Sequence, residues 1–118
     1  MLTPYEVAVL VVKALDSKKA QDIKLLKIRD ITILADYFVI CTANSTTQLK
    51  TLSDEVERVL EENGENALRR EGRRAGGWVL IDFGCVVVHL FLNEVRGFYM
   101  LERLWSDAED IDVSGLTS

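Results

Sequence analysis

GWVLIDFGCVVVHLFL, residues 77–92, holds the chain's only histidine, one of its two cysteines and an aspartate. Two readings compete: a catalytic cluster, or two core strands joined by a tight turn. Alternation favours the strands. Successive side chains of a strand point to opposite faces, so Val79, Ile81 and Phe83 share one face while Trp78, Leu80 and Asp82 share the other. Gly84 and Cys85 then form a two-residue hairpin loop, with glycine where positive φ is needed. Val87, His89 and Phe91 line one face of the returning strand, and a loop of that length makes it the face of Trp78.

The same stretch is poor in chemistry. A Cys-His nucleophile needs its thiol beside the imidazole. Cys85 and His89 stand four apart, which along a strand separates their Cα atoms by about 13 Å. His89 reads as a core histidine held by hydrogen bonds, and Cys41 and Cys85 as small apolar core residues. One histidine and two distant cysteines offer no metal-ligand pair at the usual spacing. "DFG" lacks the glycine-rich loop, strand lysine and catalytic loop of a kinase. The remaining enzymatic alternative is a magnesium-dependent, nucleotidyltransferase-like activity. It would lean on Asp36 and Asp82, yet each carboxylate begins or ends its strand alone. No cofactor and no metal are implied.

Outward from this hairpin, helix signals are explicit. Thr3, Pro4 and Glu6 give a cap, a first-turn proline and a capping box, with Val7, Leu10, Val11, Ala14 and Leu15 following at helical spacing. Ser45 and Gln48 form a second capping box ahead of Leu49, Leu52, Val56, Val59 and Leu60, and Gly64 ends that helix. DIKLLKIRD (22–30) reads as a strand with one face exposed, around Ile23, Leu25 and Ile28. DYFVICTA (36–43) is nearly all apolar, as a central strand covered on both faces should be. A third helix is expected from Asn93 as N-cap through Val95, Phe98, Leu101, Leu104 and Trp105. The predicted architecture is α/β: a mixed sheet of about five strands flanked by helices, in one domain over residues 1–108. Residues 109–118 read as a flexible acidic tail.

Composition sets further bounds. The 118 residues are 48% hydrophobic and 28% charged, a globular balance, and no apolar run is long enough to span a bilayer. The N-terminus carries no pattern of a secretory signal, so a reducing, cytoplasmic setting is expected. With a net charge of −5 the chain suits a basic partner better than a phosphate backbone. Arg69, Arg70, Arg73 and Arg74 form the local exception, read as a solvated edge strand with at most a minor RNA contact. Trp78 and Tyr99 stand out as aromatics that the core stripes do not require; spacing leaves core and interface roles open. Tryptophan, tyrosine and arginine are the types that anchor protein interfaces.

DYFVICTANSTTQ, GWVLIDFGCVVVHLFL and RGFYMLERLWSDA stand in the order and at about the spacing seen in the ribosomal silencing factor family, also called Iojap-related. The resemblance spans roughly residues 5–108. It implies a nucleotidyltransferase-like fold without catalytic carboxylates, and a non-enzymatic translational repressor in the bacterial cytoplasm. Such a protein binds the large ribosomal subunit through universal large-subunit ribosomal protein fourteen, sterically blocks joining of the small subunit, and is often homodimeric when free. Carried over by motif position, the resemblance makes Trp78, Phe83 and Tyr99 contact residues, with Asp82, Arg96 and Glu102 orienting the contact or satisfying the hairpin end. Cys85 departs from the family pattern, which usually has aspartate there, and Ala43 replaces a common glycine.

Overall fold

The computed structural model describes residues 2–28, 35–73, 77–92 and 109–116. Helix α1 (Pro4–Ser17) starts as its sequence dictates. The Thr3 hydroxyl accepts from the Glu6 N–H at 3.1 Å, and the Glu6 carboxylate accepts from the Thr3 N–H at 2.9 Å, so two orphan donors of the first turn are satisfied. These hydrogen bonds also hold the Glu6 carboxyl below its ordinary pKa. The helix stops through Lys19 at φ 64, with the Ala20 N–H donating back to the Leu15 carbonyl at 3.1 Å.

Helix α2 (Thr46–Glu62) is capped by Ser45, whose hydroxyl accepts from the Gln48 N–H at 3.1 Å, and ends at Gly64 with the Glu65 N–H donating to the Leu60 carbonyl. Only half of the expected second capping box forms. The Gln48 side-chain oxygen accepts from the Asn44 N–H at 2.6 Å, and its amide nitrogen donates to the Lys18 and Lys19 carbonyls. Gln48 therefore ties the start of α2 to the end of α1, because those helix-terminal carbonyls offer acceptors that a purely local cap would leave to water.

The strands are β1 (Gln21–Lys27), β2 (Tyr37–Ala43), β3 (Arg69–Arg73), β4 (Trp78–Asp82), β5 (Val86–Leu92) and β6 (Glu109–Ile111). They make one mixed sheet in the order β3-β4-β5-β2-β1-β6, in which β2 and β5 run parallel and the other pairings are antiparallel. Every residue of β2 and β5 is buried, as their unbroken apolar sequences require of central strands.

Both described helices pack on one face of this sheet. Val7, Val11, Leu15, Leu49, Leu52, Val56 and Leu60 meet Leu25, Val39, Cys41, Ile81, Val88 and Leu90 there in one aliphatic core. On the other face Leu26, Ile28, Phe38, Ile40, Leu80, Val87 and Phe91 form a second cluster with Trp78 at its margin. No described helix is long and apolar enough to cross a membrane.

Two expectations change. β1 does not keep one face in water: Leu25 enters the helix-side core while Leu26 and Ile28 are buried on the opposite side. A register irregularity between Gln21 and Lys24 precedes these residues, and Asp22 there takes φ 48. Nor is β1 an edge strand. Glu109–Ile111, expected within the acidic tail, pair with Leu25–Lys27 as a sixth strand. The third helix, from Asn93 to Trp105, falls outside the described residues.

Candidate partner-binding surface

The hairpin is built as the alternation predicts. Trp78 lies opposite Phe91, Leu80 opposite His89 and Asp82 opposite Val87, so Trp78 and His89 share a face. The Phe83 N–H donates to the Val86 carbonyl at 2.9 Å and closes the Gly84-Cys85 loop, with Gly84 at φ 90. Asp82 serves this turn directly. One carboxylate oxygen accepts from the Gly84 N–H at 2.7 Å and the other lies 3.3 Å from Nε of Arg69.

Trp78 is half-buried, its ring stacked on Phe91 at 6.5 Å between centroids and 19° between planes. Its seat depends on a residue that the sequence reading passed over. Gly72, opposite Val79 in the edge strand, sits at φ 90, and a Cβ there would run into the Trp78 carbonyl oxygen. Only glycine permits that approach. A glycine inside an otherwise charged strand, RREGR, was the available signal.

His89 is buried and packs by its ring rather than by hydrogen bonds. Phe38 meets it edge-on at 4.8 Å and Phe91 lies parallel to it at 6.2 Å, while neither ring nitrogen has a hydrogen-bond partner among the described residues. The expected hydrogen-bonded histidine is thus corrected among the described residues: the rings that pack on it, Phe38 and Phe91, offer no acceptor. Burial pushes its pKa down to about 4, so the imidazole is neutral near pH 7. Cys85 is half-buried, and its thiol is pushed up in pKa by burial and then by the carboxylates of Glu65, Asp36 and Asp82. A protonated thiol beside a neutral histidine several residues away is not an activated nucleophile. Among the described residues no three His, Cys, Asp or Glu side chains approach closely enough to hold a metal ion.

The candidate residues divide. Trp78 and Asp82 lie on the second face at opposite ends of β4. Phe83, five residues from Trp78 and so of opposite parity, packs half-buried at the rim of the helix-side core. Tyr99, Arg96 and Glu102 lie outside the described residues. Two of the four clustered arginines are engaged, the Arg73 side chain and Arg74 falling outside the described residues: Arg69 pairs with Asp82 and Glu71, and Arg70 Nε lies 2.6 Å from the Glu57 carboxylate. Burial nevertheless raises the Glu57 pKa despite that partner.

These features describe a single-sheet α/β domain whose distinctive side chains stand at a sheet margin and a hairpin tip, not in a cleft. The sequence pattern of the family described as "Ribosomal silencing factor during starvation" matches residues 2–118. The chain belongs to that family. It is 41% identical over 113 residues to a ribosomal silencing factor of Halalkalibacterium halodurans, covering 96% of this chain and 97% of that protein. It is 42% identical to the Bacillus subtilis factor over 85% of each chain. A crystal structure from Chromobacterium violaceum superposes with a TM-score of 0.85 at 36% identity, covering 89% of this chain and 88% of that one.

Proposed function

We propose that this protein is a non-enzymatic translational repressor of the bacterial cytoplasm. It binds the large ribosomal subunit through universal large-subunit ribosomal protein fourteen and occludes the approach of the small subunit. The observation that carries the reading is the family match over residues 2–118, which includes the whole Trp78–Leu92 hairpin. A net charge of −5 steers the chain toward a basic ribosomal protein, and a half-exposed tryptophan is the side chain that most often dominates such a contact. Trp78, Phe83 and Tyr99 are the anchoring residues in this reading, with Asp82, Arg96 and Glu102 around them. Asp82 acts through the turn it stabilises and the Arg69 it holds. Off the ribosome the protein is a homodimer.

Co-sedimentation of the purified protein with isolated large subunits tests this. Wild type pellets with the subunits in low salt, less so as salt rises, and Trp78→Ala stays in the supernatant while keeping its fold. Wild type that ignores the large subunit in low salt would refute the proposal.

A further inference from the structure

Helix α1 carries more apolar surface than the sheet covers. Val7, Val11 and Leu15 face the core, yet Tyr5, Val9 and Leu10 add apolar side chains beyond that buried stripe. A helix packed on one layer needs a single stripe, and apolar residues around more of its girth call for a second covering element. Tyr5 and Leu68 are the exposed large apolar side chains among the described residues, at 44% and 72%. Leu68 is flanked by the exposed Arg69 and Arg70, whereas Tyr5 forms a wall of a groove of about 320 Å³ with Leu2, Glu6, Val9, Leu10 and, from α2, Asn63. Gln48 ties the end of α1 to the start of α2, so the two helices run antiparallel and this groove lies between the start of α1 and the end of α2.

That end of α2 is charged against its own dipole. Glu61 and Glu62 occupy the last turn, where unpaired carbonyls already present negative charge and no basic residue stands. Arg58, one turn earlier, reaches Glu62 at 2.7 Å but is shared with Glu55 at 2.8 Å, and Lys13 of α1 does not line the groove. Glu6 adds a further carboxylate in the groove wall.

We propose that this groove receives a basic amphipathic helix of a partner protein, with apolar side chains on Tyr5, Val9 and Leu10 and lysine or arginine beside Glu6, Glu61 and Glu62. Two antiparallel helices offer a third the trough between them, and apolar anchors with a charged flank are how such helices dock. The carboxylates and the negative end of α2 select a cationic occupant. They repel a phosphate backbone or an anionic lipid surface, and a second copy of the chain would bring like charges together. The site goes beyond the function proposed above and does not involve Trp78.

The experiment titrates a synthetic helix into the isotopically labelled full chain and follows amide shifts. The peptide has about 18 residues, with leucine at helical spacing and lysine elsewhere; a second peptide carries glutamate for every lysine. The lysine peptide shifts amides of α1 and of the end of α2 and leaves those of β4 and β5 in place, and added salt weakens it. The glutamate peptide shifts none. Tyr5→Ser weakens binding about tenfold and Glu61→Lys about threefold, while Trp78→Ala binds like wild type. Absence of binding, equal binding by both peptides, or Tyr5→Ser binding like wild type would overturn the proposal. So would shifts centred on the hairpin, a readout that holds whether or not Tyr5→Ser folds. A wild-type dimer that Tyr5→Ser dissociates would overturn the basic occupant in favour of a second copy.

Discussion

The two faces of the sheet use the same strands to different ends. Toward α1 and α2 the alternate residues of β2, β4 and β5 are almost entirely aliphatic, and Val39, Ile81, Val88 and Leu90 interlock with the valines and leucines of the helices. On the opposite face the residues one position along are Phe38, Leu80, His89 and Phe91, with Trp78 stacked at the margin. The first face is the folding core, with Phe83 of the hairpin half-buried at its rim. The second also carries an aromatic cluster that ends at a half-exposed ring, and it contains an imidazole kept neutral by burial with no hydrogen bond from the described residues. Strand parity separates Trp78, half-buried at the margin of the second face, from Ile81 and Val88, fully buried in the helix-side core.

Truncation on each face breaks this comparison most directly. Phe91→Ala removes the ring that Trp78 and His89 both stack on and costs about 3–5 kcal/mol; Ile81→Ala on the helix side costs about 2–5 kcal/mol. Urea unfolding reads both losses. The faces differ in a second readout: Phe91→Ala weakens binding to large subunits beyond what its stability predicts, and Ile81→Ala does not.

Acid sharpens the contrast. His89 titrates near 4 in the folded chain and near its ordinary 6.5 once unfolded, so between these values the unfolded state binds the extra proton. Stability from this residue is complete well above about pH 6.5 and falls as pH drops, by about 3 kcal/mol at pH 4, levelling off below the folded pKa. Glu55, held low by its hydrogen bond to Arg58, loses stability in acid too, but equally in wild type and in His89→Phe. The difference between these two stability curves therefore isolates the histidine. Parallel curves from pH 7 to pH 4 would contradict a buried, neutral imidazole.

Smaller effects come from the edges. Gly72→Ala places a Cβ against the Trp78 carbonyl at positive φ and costs about 1–3 kcal/mol, with loss of amide protection in β3 and reduced subunit binding. Thr3→Ala, at the start of α1, costs about 1 kcal/mol and leaves binding unchanged.

The hairpin and the helix starts were legible because their signals are local. Alternation in residues 77–92, glycine at the turn, and Thr3 with Glu6 each specify a hydrogen bond within a few residues of themselves. What the sequence concealed depends on distant partners. Glu109–Ile111 have little strand propensity, and become a strand because β1 offers them an unpaired edge. Leu26 is buried where a one-sided strand was expected because it joins Ile28, Phe38 and Ile40 in the cluster on the second face. Gln48 follows a capping-box pattern, but the Lys18 and Lys19 carbonyls draw its amide across to the other helix. For the candidate site, parity already placed Trp78 and Phe83 on opposite faces. The support of Trp78 by Gly72, and the exposure of Leu68, follow from how β3 lies on β4, which no local pattern encodes.

The measurement that bears most directly on the central claim is subunit joining itself. Purified large subunits are preincubated with wild type or with folded Trp78→Ala, small subunits are added, and the fraction of joined ribosomes is read by sedimentation. Wild type lowers that fraction and Trp78→Ala leaves it at the level without added protein. Joining that proceeds undiminished on large subunits saturated with wild type would contradict the account.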